Sequence, residues 1–184
     1  MDIFNEEDIA KELSNPKRRN DIFTAMVNQY TSKLYWVIRR IVIYHDDADD
    51  VLQNTFLKAW MNLDDFQGKS KIYTWLYRIA INESLDFLRR KKKIGDTCQA
   101  DDPVISSQLL ADKYFEGDAA EAYLKEAIAL LPDVQRMVFN MRYYDNIKYS
   151  EMSNILHTSE GALKASYHIA VNKVSKYLKN KEIE

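Results

Sequence analysis

Apolar side chains recur along the first half of this chain at three- and four-residue steps. Between Asp21 and Ile43 the series Ile22, Phe23, Met26, Val27, Tyr30, Leu34, Val37, Ile38 and Ile41 keeps to one side of a helix, the spacing that marks a single buried face. A second helix is expected from Asp46 or Asp47, either of which is a suitable N-cap, with Val51, Leu52, Thr55, Phe56, Ala59 and Trp60 turned inward. The stretch DDFQGKSK (64–71) breaks the pattern. A third helix then runs from Ile72 to Lys92 and offers Leu76, Ile79, Ala80, Leu85 and Leu88 to a core.

After RRKKK (89–93) the periodicity fades, and Gly95, Asp101, Asp102, Pro103, Ser106, Ser107 and Gly117 punctuate a stretch read as a linker over 94–118, with SQLLADKYF as a candidate short helix. The helical pattern resumes at Ala119 and runs to Leu131, and Pro132 suits the first turn of the next helix. YSEMSNIL, capped by Ser150, and a last helix beginning at Thr158 or Ser159 complete the chain. The outward set of that last helix is Ser159, Glu160, Lys164, Ala165, His168, Ile169 and Asn172; Leu163, Tyr167, Ala170, Val174 and Leu178 face inward. β-type alternation is absent and no repeat is evident. The expectation is an all-α chain of two small helical domains, 1–93 and 119–184, joined by a flexible linker over 94–118.

Charge changes this picture more than composition does. The whole chain is near neutral at −2. Divided by segment, residues 1–95 hold 16 Lys/Arg against 14 Asp/Glu, residues 96–124 hold 1 against 7, and residues 125–184 hold 9 against 7. Two mildly basic ends are therefore joined by an acidic tether, a distribution that leaves nucleic-acid binding open where the sum alone would not. Apolar residues make up 46% of the chain, but no stretch reaches the roughly 20 needed to span a membrane. An acidic N-terminus is unlike a signal peptide, and the single Cys98 has no internal disulfide partner. A reduced, cytoplasmic setting is expected.

Enzyme chemistry finds little to work with. Three His, one Cys and four isolated Gly form no phosphate loop, no nucleophile–base pair and no metal-spaced cluster, so no catalytic residue, metal, cofactor or small-molecule substrate is expected. The run DDADD (46–50) has a plain explanation, negative charge at a helix N-terminus. That covers Asp46 and Asp47 better than Asp49 and Asp50, which extend with Gln53 and Asn54 along an exposed face suited to a basic partner. KSKIYTWLYRIAINESLDFLRRKKK (69–93) mixes aromatics with basic side chains, and stacking beside polar edges is how unstacked bases are held. Gln67, Lys69, Ser70, Lys71 and Tyr73 lie in or beside the loop, and Arg78 and Asn82 share one helix face. Trp75 is expected to pack with one edge exposed. Arg89 and Arg90 either meet phosphate or mark a solvated domain end. The two last helices either form a packing hairpin or a helix-turn-helix whose second member enters a groove.

DDADDVLQNTFLKAW, TWLYRIAINESLDFLRR, LPDVQRMVFNMRYYDNIKYSEMSNIL and SEGALKASYHIA together, and in that order, resemble the extracytoplasmic-function (ECF) sigma factors of the sigma-70 superfamily. The resemblance implies a region 2 domain, a region 4 domain and a linker through the RNA exit path. It implies that Asp49, Asp50, Gln53 and Asn54 dock on core RNA polymerase. Gln67, Lys69, Ser70, Lys71, Tyr73, Trp75, Arg78, Asn82, Arg89 and Arg90 are implied to take the melted −10 element, and Ser159, Glu160, Lys164, Ala165, His168 and Ile169 the −35 duplex. An anti-sigma factor is an implied partner. The commoner family motif carries arginines at the positions of Ser166, Ile169 and Val171; without them the last helix neutralises few phosphates and depends on a partner to stay on DNA. Two rival readings remain, a helix-turn-helix regulator acting alone as a dimer, and a helical adaptor that binds only proteins.

Overall fold

The structure, a computed structural model, describes residues 17–66, 68, 70–95 and 119–181. Among them are seven α-helices and no strand: α1 (Arg19–Val42), α2 (His45–Met61), α3 (Ile72–Lys93), α4 (Ala119–Ala129), α5 (Asp133–Tyr143), α6 (Tyr149–Leu156) and α7 (Glu160–Lys181), with a single 3₁₀ turn at Leu63–Asp65. The chain divides into two compact units near residue 90. Nearly all of the expected linker, including SQLLADKYF, lies outside the described residues.

In the first unit α1 and α2 form a hairpin. Ile22, Met26, Tyr30, Leu34, Val37, Ile38 and Ile41 are buried as the periodicity requires, and Val51, Leu52, Thr55 and Ala59 answer from α2. The reversal takes only Ile43 and Tyr44. Ile43 sits at φ 74, ψ −48, and the Tyr44 N–H donates to the Val42 carbonyl at 3.0 Å, which defines a γ-turn of the strained, positive-φ kind. A β-branched residue in that region is costly; burial of the Ile43 side chain in the core offsets it. This turn corrects the expected start of α2. The helix begins at His45 after Tyr44, with no side-chain cap, and Asp46 and Asp47 lie in its first turn, where the helix dipole favours negative charge.

Helix α3 is joined to α1 through the Tyr30 and Tyr73 rings, 5.8 Å apart, and to α2 through an ion pair between Lys58 and the buried Glu83. Its inner face differs from the expected one. Leu76 and Ala80 are buried, but Tyr77, Ile81, Glu83 and Ser84 complete the face, while Ile79, Leu85 and Leu88 are only half-buried. The reason is rotational: a face centred on Ala80 takes its neighbours at 76, 77, 81, 83 and 84, and the Ser84 hydroxyl satisfies itself on the Ala80 carbonyl at 2.8 Å.

In the second unit α4, α5 and α6 all pack on α7. Ala127, Ile128, Leu131, Phe139, Ala170 and Val174 form the centre, with Leu124, Tyr167, Val171, Tyr177 and Leu178 packed round it. Pro132 stands one position before α5, as its N-cap. The α4–α5 turn is held by Arg136, whose buried guanidinium donates to the carbonyls of Ala129 (3.2 Å) and Leu131 (2.9 Å) and to Asp133 Oδ1 (2.8 Å).

Candidate functional site

On α2, Asp50, Gln53 and Asn54 are exposed and Asp49 is half-exposed. Their side of the helix is opposite Val51, Leu52 and Thr55, so the polar strip is a consequence of the same periodicity that builds the core. Asp49 has a neighbour that the sequence did not suggest. Its Oδ2 lies 3.5 Å from His45 Nε2, and the other ring nitrogen meets the Tyr35 hydroxyl of α1 at 2.7 Å. The Tyr35 ring in turn lies edge-on to Trp36, which is partly exposed.

At the start of α3 the expected aromatic equipment is present but not all of it is available. Trp75 is half-buried against Phe66, with ring centroids 5.3 Å apart, the packed ring with an open edge that was expected. Tyr73 is committed on two sides, to Tyr30 and to Tyr77 at 6.0 Å. Ser70 and Arg78 are half-buried, and Lys71 and Asn82 are exposed. Arg89 and Arg90 are exposed at the far end, Arg89 paired with Asp86 at 3.2 Å. Gln67 and Lys69 lie outside the described residues.

In the second unit α6 and α7 are separated by His157, Thr158 and Ser159. His157 takes the left-handed conformation at φ 51, ψ 40, which ends α6 as a glycine would. Ser159 then starts α7, its Oγ accepting the Ala162 N–H at 3.3 Å, the bond expected of an N-cap. The Ser150 cap expected on α6 is not made: Lys148 precedes the helix, without a side-chain cap, and Ser150 lies inside the first turn. Ser159, Glu160, Lys164, Ala165, His168 and Ile169 are all exposed. Besides the Ser159 cap, three of these side chains have polar partners nearby. Lys164 Nζ lies 3.7 Å from Glu160 Oε2 and 5.6 Å from the centre of the Tyr149 ring, and His168 Nε2 meets the Asn172 amide nitrogen at 3.1 Å.

Behind this face the rings of Phe139, Tyr143 and Tyr167 stack, and Tyr149 meets Tyr167 edge-on. Burial pushes the Tyr167 hydroxyl above its ordinary range; Tyr149 and Tyr143 add to that rise and Arg142 opposes it.

The arrangement is a helix-turn-helix presenting the start of its second helix, alongside a separate helical unit with a polar strip and an aromatic–basic end. Family models agree with this division: one for Sigma-70 region 2 matches residues 26–94, and one for Sigma-70, region 4 matches residues 121–174. The chain is 29% identical over 182 residues to the ECF RNA polymerase sigma factor SigW of Bacillus subtilis, spanning 94% of this chain and 97% of that protein. It is 30% identical over 152 residues to the ECF RNA polymerase sigma-E factor of Salmonella typhimurium, spanning 78% and 79% respectively. Among solved structures, the sigma factor RpoE in complex with the anti-sigma factor NepR from Bartonella quintana shares the fold with a TM-score of 0.65 at 24% identity, over 85% of this chain and 96% of that one. CnrH in complex with the cytosolic domain of CnrY gives 0.64 at 23% identity, over 95% and 97%. The chain belongs to the extracytoplasmic-function sigma factors, the subunits that bind core RNA polymerase and direct it to promoters.

Proposed function

We propose a division of labour within this sigma factor. Asp49, Asp50, Gln53 and Asn54 on α2 dock on core polymerase. The 64–71 loop and the first half of α3 take unstacked −10 bases, with Asn82, Lys71 and the open edge of Trp75 as the accessible contacts. Lys164 and His168 on α7 read the −35 duplex, and Ala165 and Ile169 offer apolar contact suited to a thymine methyl. Domain limits at 93 and 119, an acidic linker between them, a cytoplasmic location and the lack of any catalytic step belong to the same reading. An anti-sigma factor is a further partner, a proposal supported by the complex in which RpoE was solved, with the anti-sigma factor NepR.

The observation that carries the reading is the start of α7. It is capped by its own Ser159, follows a three-residue turn, and exposes all six expected positions. A groove reader needs its N-terminal turns bare; a packing hairpin has no reason to leave Ile169 at 45% exposure. With Lys164 the only lysine or arginine in the first half of α7, few phosphates are neutralised, so free protein is expected to bind promoter duplex weakly and to gain selectivity only with core polymerase.

Transcription on paired templates tests the division. With a duplex promoter, Lys164→Ala changes which −35 sequences are used, whereas initiation from a pre-melted −10 template is unaffected. Asn82→Ala slows opening of the duplex and leaves −35 preference alone. The same profile for both variants on both templates overturns the division. Docking is tested separately by Asp49→Lys with Asp50→Lys. Charge reversal on an exposed strip costs the fold under about 1 kcal/mol, but at an interface it costs about 3 kcal/mol or more. A double variant that melts normally and still assembles with core polymerase removes α2 from the interface.

A further inference from the structure

Lys164 and His168 are the two proposed readers with hydrogen-bonding side chains beyond the first turn of α7, and Lys164 is the more mobile by construction. A four-carbon stem on an exposed helix samples many rotamers, and fixing one costs entropy. Here the ammonium is already placed. It lies 5.6 Å from the centre of the Tyr149 ring, within the range of a cation–π contact. Glu160, 3.7 Å away and one turn earlier on α7, draws it toward the start of the helix, the part that enters a groove.

The Tyr149 ring is itself held. Arg142, at the end of α5, places its guanidinium carbon 5.5 Å from the same ring centre. That guanidinium is anchored in the α5–α6 loop, where Nη1 donates to Asn146 Oδ1 at 3.2 Å and to the Ile147 carbonyl at 3.3 Å. On another side Tyr149 meets Tyr167 at 6.5 Å, near edge-on. One ring therefore links the loop before α6 to the exposed lysine on α7.

We propose that Tyr149 is a positioning residue for promoter specificity: its ring, fixed by Arg142 and Tyr167, holds Lys164 aimed at one base edge rather than at the phosphates on either side. The inference rests on Lys164 reading the −35 duplex. An ammonium is a donor only, so the edge it selects carries acceptors, with guanine O6 and N7 the best match in a major groove. Without the ring, the lysine still contributes its charge but spreads over several acceptors. Discrimination at one base pair falls while overall promoter use is nearly kept.

The probe is a library of duplex promoters randomised through the −35 element above a fixed −10 element, transcribed by full-length protein assembled with core polymerase. Lys164→Ala should flatten preference at one base pair by about 5-fold or more. Tyr149→Leu should flatten the same base pair by about 2- to 5-fold, Tyr149→Phe should retain it, and Tyr149→Leu with Lys164→Ala should match Lys164→Ala alone. If Lys164→Ala leaves every position sharp, the reading role of Lys164 itself fails. If Lys164→Ala flattens one position but Tyr149→Leu lowers all promoters equally, or Tyr149→Phe is as damaging as Tyr149→Leu, Tyr149 serves only packing or a hydroxyl contact and the inference is overturned. A measurement on the unmodified protein stands apart from any folding defect. The Lys164 ε-methylene protons should show an upfield ring-current shift in its NMR spectrum, and their appearance at the position of a solvated lysine overturns the proposal.

Discussion

Two helices of nearly equal length do opposite work in this molecule. Helix α1 has 24 residues and buries eight of them, whereas α7 has 22 and buries three, Leu163, Ala170 and Val174. The first is a spine, contacted along its length by the hairpin partner and by the Tyr73 ring. The second rests on its neighbours by a narrow strip, thickened by half-buried Tyr167, Val171, Tyr177 and Leu178, and leaves the rest of its surface bare. A wide apolar stripe fixes an element in a core; a narrow one holds it in place while leaving its surface for a partner. Substitutions on exposed α7 can therefore alter recognition with little effect on folding, and substitutions within α1 cannot be expected to do so.

The largest effect that sharpens this contrast is in α1. Leu34 is fully buried, and Leu34→Ala should cost about 2–5 kcal/mol through lost transfer energy and the cavity left behind. Because the chain divides into two compact units, the loss should be confined to the first. Native-state hydrogen exchange should show faster exchange in α1, α2 and α3, with α4 to α7 unchanged. Equal acceleration in both units would show that they unfold as one, and the contrast between spine and display helix would lose its meaning.

The second unit compensates for its narrow strip with a polar staple, and this gives the next effect in size. Arg136 is buried and ties two carbonyls of the α4–α5 turn to Asp133. Arg136→Ala leaves those carbonyls without that donor in a poorly hydrated site, at a cost of about 2–3 kcal/mol. Here the exchange pattern should reverse, with α4, α5 and the foot of α7 opening and α1 to α3 unaffected. A change below about 0.5 kcal/mol, the range of an ordinary surface substitution, would mean that the staple contributes nothing net and that apolar packing alone holds the turn.

The contrast also marks what could be read from the sequence. The bodies of α1, α2 and α7 were legible because three- and four-residue spacing records directly which side meets the core. Helix boundaries were less so. The start of α2 follows from a γ-turn at Ile43, a conformation that nothing about an isoleucine advertises, and α6 dispenses with the serine that had every qualification to cap it. All seven positions expected to be outward on the last helix, Asn172 included, are exposed, since exposure there is the complement of the Leu163–Ala170–Val174 strip. Links between helices left no periodic trace: Tyr35 to His45 to Asp49, Arg142 to Tyr149 to Lys164, and the Lys58–Glu83 pair. Glu83 is the partial exception. Its place three residues after Ala80 put it on the inner face, and a carboxylate there needed a cation from α2.

The smallest effect concerns Tyr167, the ring on which the narrow strip and the reading face both depend. Its hydroxyl titrates above the ordinary value of 10.0, first because burial disfavours the phenolate, then because Tyr149 and Tyr143 oppose a second negative charge, against the lowering influence of Arg142. The folded protein therefore holds this proton more tightly than the unfolded chain does. Linkage makes the consequence one-sided: the contribution is intact below about pH 10 and is lost as pH rises from there through the raised folded value. Tyr167→Phe keeps the stacked ring and cannot ionise. Urea unfolding followed at about pH 9 and about pH 11 should show the unmodified protein losing slightly more stability than Tyr167→Phe across that interval, with matching behaviour at neutral pH. An identical alkaline loss in both would mean that the Tyr167 hydroxyl reaches solvent freely, and that the aromatic stack behind α7 is looser than its ring distances imply.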